Sequence, residues 1–510
     1  MVDIEPVNYG LISGCESDAD NGTWGANSLG TENNFLKEGA NCLGCTLRTV
    51  GSNIIEFVPD SAVDLSGTKH LRIWYLCSVP NSLETEDNGG VQFYLSDGSN
   101  TGYYNITGRD TYPGGWYNLV VDLSRAVDSG SKPTAMNAIT NLGINQNMIS
   151  APKNVDNTWI DNFIYCDGLQ CSGSTQFDLQ DIYDVDNATG SGQAWGIIRK
   201  ISGIYYLVGS LIFGDDNGVG DTDFLDYSQV AIFEDRKVSN DLYKLVVVGN
   251  ATGTTSFQLG NKSGDSGIQG CVVKALATGS RYEMYMSGSN IDALKLYGST
   301  FSTAGFTFLP QTGSAREVLN CSFEESAAVA VNDCTVMNCK FISSTGSAVL
   351  ITGSNHNLIY SEFIACPLAV EISESGSDYY FDGLIFSGNT YDVYNSSADP
   401  ITVTCRYGSN ANYTTGSSVT IENPVTLTLT GLKVNSEVTI LEAGTTNELD
   451  HVEDSGTTFG YDYTYSPSTY IDIYVHHVDY IWYAVRNYEL QASNANVPIA
   501  QVEDRNYSNP

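Results

Sequence analysis

The chain has 510 residues, 42% of them hydrophobic but only 16% charged, and carries a formal net charge of −36. A surface of that sign repels phosphate backbones and anionic headgroups, which argues against nucleic-acid and membrane partners. No apolar run approaches the ~20 residues of a membrane span. With 50 Gly and 32 Tyr beside so few charges, the composition fits an all-β protein whose surface is hydroxyl and amide rather than ionic. About three domains are expected at this length.

From the N-terminus, apolar stretches with turn signals between them recur at Thr46–Val50, Leu71–Cys77, Val91–Leu95, Trp116–Leu123 and Trp159–Cys166. That spacing predicts a β-sandwich over residues 1–170. Trp74 and Trp116 sit in apolar strands and are expected inside. Sugar contact in such a unit needs exposed rings, and the candidates are Trp24, Tyr103 and Tyr104, the tyrosine pair lying beside a Gly- and Asn-containing turn. Cys42 and Cys45 form a C-x-x-C, with Cys166 and Cys171 later in the same unit. Four thiolates can take zinc, but the second spacing is poor, and buried thiols are the preferred reading. The stretch Cys171–Gln176, rich in Gly and Ser, reads as a linker.

Residues 175–400 carry an internal repeat. Phenylalanine returns at Phe301, Phe323, Phe341, Phe363 and Phe386, at spacings of 22, 18, 22 and 23 residues. A short strand recurring at this period predicts a solenoid, here a right-handed parallel β-helix of about ten coils. With a strand period of two, Ser299, Cys321, Cys339, Ser361 and Leu384 point inward with the phenylalanines. Tyr297, Leu319, Met337 and Ile359 should do the same, and Asp382 alone breaks that column. Thr300, Ser322, Lys340, Glu362 and Ile385 face out, which brings Lys340 and Glu362 to neighbouring coils, close enough to pair. Asp215–Asp223 is Asp-rich but lacks the closing Glu of an EF-hand, and reads as a solvated acidic turn.

Catalysis in the solenoid would need paired carboxylates facing one groove. Glu324 and Glu325 are adjacent and so face opposite sides of a strand. Glu362, Glu371, Glu374 and Asp378 can pair across coils, but nothing in their spacing forces a pair. Basic residues suited to a uronate lyase are sparse, and His356 reads as a turn residue. No catalytic residue is assigned. Residues 401–510 show strands at Ile401–Arg406, Val425–Leu432, Glu437–Leu441 and Tyr470–Val475, predicting an Ig-like sandwich followed by an extended tail. The run Tyr470–Val485 is long enough for a hairpin, which puts His476 and His477 on opposite faces.

The order Cys15–Trp24, Lys37–Asn41, Gly114–Leu123 and Trp159–Tyr165 resembles that of jelly-roll carbohydrate-binding modules. The resemblance implies a structural calcium held by Glu16 and Asp161, although Asn162 stands where a second acid is common. Further on, Asp221–Gly260, the His476–His477 strand and the closing segment from Val497 look similar to structural proteins of tailed bacteriophages. This implies a capsid decoration protein or fibre at the virion surface, with other virion proteins as partners, a homotrimeric state and glycan contact. A phage particle freed by lysis also fits the N-terminus, which lacks the basic and apolar segments of a secretory signal. The rivals are a tailspike depolymerase and a bacterial extracellular glycan-binding protein.

Overall fold

The computed structural model describes all residues except 1–2, 27, 107–114, 152–156, 189–193, 228, 234–242, 263–268, 277–281, 288–290, 308–314, 332–333, 354–355, 377, 423–424, 464–467, 492 and 505–510, and the side chains of 287, 306, 307, 315 and 356. His356 therefore lies outside the described side chains. The protein is all-β apart from one α-helix and two short 3-10 turns among these residues. It divides into two compact units: Met1–Thr335 with Ile342–Thr345, and Val336–Phe341 with Gly346–Pro510.

The first unit opens with two antiparallel sheets. One orders Tyr117–Asp122, His70–Cys77, Thr158–Tyr165, Cys42–Cys45 and Gly30–Glu32, with Gly10–Ser13 also on Thr158–Tyr165. The other orders Ser129–Gly130, Thr101–Asn105, Val91–Ser96, Asn141–Met148, Gly51–Pro59 and Gly22–Gly25. Their facing residues, Trp24, Phe57, Ile73, Phe93, Ile144 and Phe163 among them, form one core. The strand expected at Thr46–Val50 is absent. Asn53 folds its amide back onto the carbonyls of Thr49 and Gly51, making a turn there, and the strand begins at Gly51. Trp116, expected inside, is half-buried and precedes the strand at Tyr117.

The Gly- and Ser-rich stretch is not a linker. It belongs to the strand Gly168–Phe177, which pairs antiparallel with Asp3–Val7 and parallel with Ser210–Phe213. Small residues there permit close approach: a Cβ on Gly168 would lie 2.4 Å from the Ser210 carbonyl oxygen. The helix Leu179–Asp186 follows, capped by Asp178, whose carboxylate accepts from the Gln180 and Asp181 amides. Its Leu179 sits with Leu207, Leu211, Phe213 and Phe224 around the solenoid interior.

The solenoid stacks parallel strands on three faces, as the Phe repeat predicted. In the first unit one face runs Thr222–Asp226, Thr255–Leu259, Ile291–Tyr297, Ala315–Leu319, with Phe224 opposite Phe257 and Phe257 opposite Leu294. The Phe column lies on a second face, where Phe301 stacks on Phe323 at 5.3 Å. The second unit repeats the arrangement: Phe363 lies between Phe341, at 5.0 Å, and Phe386, at 5.1 Å. All five rings are buried. Burying such a side chain contributes roughly 1.5–3 kcal/mol.

One inward column differs from the sequence reading. A left-handed residue precedes each small inward residue: Gly298, Asn320, Asn338, Tyr360 and Gly383 have φ between 49° and 63°. This corner breaks the strand, so the alternation slips by one. The fully inward residues ahead of it are Leu296, Val318, Val336, Leu358 and Phe381, whereas Met337, Ile359 and Asp382 are only half-buried. Asp382 then no longer breaks the pattern. Gly and Asn recur here because they tolerate the left-handed region best.

The solenoid extends past residue 400. Ile401–Arg406 pairs parallel with Asp378–Asp382, and Val419–Glu422 pairs with it in turn. The final sandwich begins at Val425. One sheet holds Thr458–Tyr463, Val425–Thr430 and Ala495–Pro498; the other holds Glu448–Ser455, Ser436–Glu442, Tyr470–His477 and Tyr480–Glu489. The hairpin expected over Tyr470–Val485 is present, and Leu427, Leu429, Val438, Ile440, Ile471 and Ile473 fill the space between the sheets.

Candidate functional site

Trp24 and Tyr104 lie in the core of the first sandwich. Trp24 is 3% exposed and packs 4.8 Å from Phe57; Tyr104 is 0% exposed, with the Arg125 guanidinium 5.2 Å from its ring centre. Neither presents a ring face to solvent, because both project from the inner side of their strands. Tyr103, one residue from Tyr104 and on the other side, is half-exposed and packs 6.0 Å from Tyr94.

Glu16 and Asp161 converge on one loop. The Glu16 carboxylate accepts from the amides of Ala40 (2.9 Å) and Asn41 (2.9 Å), while Asp161 Oδ2 accepts from Lys37 and Glu38 (2.9 Å each). Gly39, at φ 61°, lies directly under Glu16, where a Cβ would meet Oε1 at 1.3 Å. Asp161 Oδ1 is buried without a partner. Burial pushes this carboxyl up to about 7 against the pull of the amides, with Glu16 adding repulsion. Calcium takes six to eight oxygens. Here two carboxylates are turned to four backbone amides, and no group of three or more Asp, Glu, His or Cys suited to a metal occurs among the described residues. In this arrangement the loop amides fasten both carboxylates. The four cysteines of the zinc alternative are buried, and Cys42 Sγ donates to the Phe35 carbonyl oxygen.

In the second unit Glu362 and Glu371, two acids of the enzyme reading, are tied to neighbouring coils, and so is Asp382. Lys340 Nζ reaches Glu362 at 3.0 Å, as the outward column predicted. Ser347 Oγ donates to Glu371, and Arg406 grips Asp382 with two bonds, of 2.7 and 2.8 Å. His476 faces Glu437 at 3.4 Å while His477 meets the Tyr480 ring edge-on at 5.0 Å, so the two histidines point apart.

The exposed rings lie elsewhere than the sequence candidates. Tyr360, Tyr380 and Tyr407 are 52%, 52% and 61% exposed on the solenoid of the second unit. The Arg406 guanidinium lies 4.3 Å from the Tyr380 ring centre and 5.9 Å from that of Tyr407. Of these groups, Arg406 and Tyr407 border a cleft of about 420 Å³ that Thr404, Thr426, Asp450 and Asp462 also line. The signal that could have found them is a tyrosine at a corner that elsewhere takes Gly or Asn.

No family model matches this chain, and no curated protein matches it. Among solved structures, PfGH50B is similar at 14% identity and a TM-score of 0.21, over 28% of this chain and 22% of that one. Carbohydrate-binding modules of the β-sandwich superfamily are similar at 11% identity and a TM-score of 0.19, over 32% of this chain and 55% of theirs. An exo-β-agarase follows at 13% and 0.18, over 31% and 24%. The chain spans less than two thirds of each of these structures.

Proposed function

We propose that this chain is a non-catalytic structural protein of a phage particle surface, a decoration protein or fibre, that contacts glycans. The observation that carries the non-catalytic part is the state of the acids. Glu362 and Glu371 hold neighbouring coils together through Lys340 and Ser347. The interior between the faces is filled with stacked rings rather than a polar groove. The virion assignment rests on the sequence likeness of Asp221–Gly260 and the closing segment to phage structural proteins. We further propose a homotrimer, because a solenoid leaves long faces that symmetric copies can bury.

Labelled antibody against the chain, imaged on intact particles, tests the placement; label confined to host cells would remove it. Incubation with host capsule and lipopolysaccharide tests the chemistry. Release of oligosaccharides that stops on Glu362→Gln or Glu371→Gln would establish the depolymerase reading instead. Light scattering of the purified chain should give three times the monomer mass of 55.1 kDa.

A further inference from the structure

Resting on the glycan-contact reading above, we propose that the cleft bordered by Tyr407, Arg406, Asp450 and Asp462 binds a neutral, hydroxyl-rich oligosaccharide. Three independent observations point there.

The first is conformational. Tyr407 adopts φ 52°, in the left-handed region that Gly298, Asn320, Asn338 and Gly383 take at the equivalent corners. A bulky residue held there is strained, and such strain gathers at functional sites. Its ring is 61% exposed, so packing does not repay the cost. Tyr360 repeats the pattern at φ 49°, its ring lying over Gly383, where a Cβ would come within 2.3 Å of Tyr360 Cδ1. Two of these corners therefore hold exposed rings.

The second is the polar inventory. Arg406 spends Nε and Nη2 on Asp382, which fixes the guanidinium in place and leaves Nη1 unengaged among the described residues. Asp462 accepts from Thr426 Oγ1 through Oδ1 at 2.6 Å, leaving Oδ2 unengaged in the same sense. Asp450 uses one oxygen on the amide of His451. A preset donor, open carboxylate acceptors and a stacking ring match what a sugar presents: vicinal hydroxyls at the edge and C–H groups on the face.

The third is charge and size. Asp382 neutralises Arg406, so Asp450 and Asp462 leave the cleft net negative. Uronates, sialates and phosphorylated sugars meet like charge there, whereas a neutral glycan does not. The volume of about 420 Å³ lies within the ~300–1,000 Å³ of small-molecule sites.

The test is calorimetric titration of the full chain with cellotetraose, maltotetraose and mannotetraose, and with tetragalacturonate as the anionic arm. At least one neutral tetrasaccharide should bind, and tetragalacturonate should bind at least tenfold more weakly. Tyr407→Asn, which suits the corner backbone and so preserves the fold, should weaken binding about tenfold by removing the stacking ring. Asp462→Asn should weaken it independently, with the melting temperature unchanged. Neutral binding undiminished in both variants overturns this site and leaves glycan contact elsewhere on the chain intact. Tighter binding of tetragalacturonate overturns the neutral assignment. A wild-type chain that binds none of the four removes the glycan-contact reading together with this site.

Discussion

Truncating Phe363 to Ala removes a ring stacked on both sides, by Phe341 at 7° and by Phe386 at 10°, with centres about 5 Å apart. The side chain is fully buried. Phe→Ala in a core costs roughly 3–5 kcal/mol through lost transfer energy and the cavity left behind. Two broken stacks place this variant at the upper end, about 4–5 kcal/mol. Phe363→Leu keeps most of the volume but not the stacks, and should cost about 1–2 kcal/mol. Solenoid coils depend on their nearest neighbours, so the loss should stay local. The assay is native-state amide exchange. Exchange should accelerate by roughly three orders of magnitude for Ala in Glu362–Ile364, Ile385–Ser387 and Leu368–Ile372. Strands of the final sandwich, such as Val425–Thr430, should be unchanged. Equal costs for Ala and Leu, or acceleration spread over the whole second unit, would refute the stacked-column account.

Asp226 is buried and its carboxyl is pushed up to about 7, chiefly by burial, although it accepts from the Leu179 amide. A folded value above the unfolded one means the native state holds the proton more tightly. The contribution is therefore full below pH ~4 and is lost as pH rises to about 7, at roughly 1.4 kcal/mol per pH unit. Denaturant titrations at pH 4, 5, 6 and 7 should show this slope, and Asp226→Asn should reduce it; an identical slope in the variant would contradict the assignment. For Glu16 and Asp161, thermal unfolding with calcium and with chelator should coincide, because amides already fasten the loop. A gain of about 2.7 kcal/mol at a hundredfold excess over Kd would restore the calcium site. Tyr360→Asn should raise stability by about 1 kcal/mol by relieving the left-handed corner, as denaturant midpoints would show; a loss of that size would mean the ring packs more tightly than its exposure implies.

Much of the solenoid was legible because its signal is periodic. Phe301 to Phe386 mark one face, the small residues two positions earlier mark the turn into it, and Lys340 with Glu362 could be paired by counting alone. The column before the corner was misread because period-two counting assumes an unbroken strand, and one left-handed residue resets it. The end of the solenoid was misplaced because Ile401–Arg406 alternates equally well in a coil or a sandwich; only its partner, Asp378–Asp382, decides. The rings of Trp24 and Tyr104 were taken as platforms because a sequence does not show which side of a strand faces the core. The cleft near Tyr407 joins residues up to 59 positions apart, and no local pattern links Thr404 to Tyr463.

The strand Gly168–Phe177 belongs to two structures at once, and this bears on the order of events during synthesis. Asp3–Val7 finds its partner only after the chain has grown to Gly168. Closing that long interval is slow. Once closed, the same strand offers its other edge to Ser210–Phe213 as a ready template. The first coil is then laid on an existing rung instead of nucleating alone, and later coils add in the order the ribosome delivers them. A lesion at Gly168, where a Cβ would strike the Ser210 carbonyl at 2.4 Å, would therefore disturb assembly of everything downstream, far beyond its own contacts.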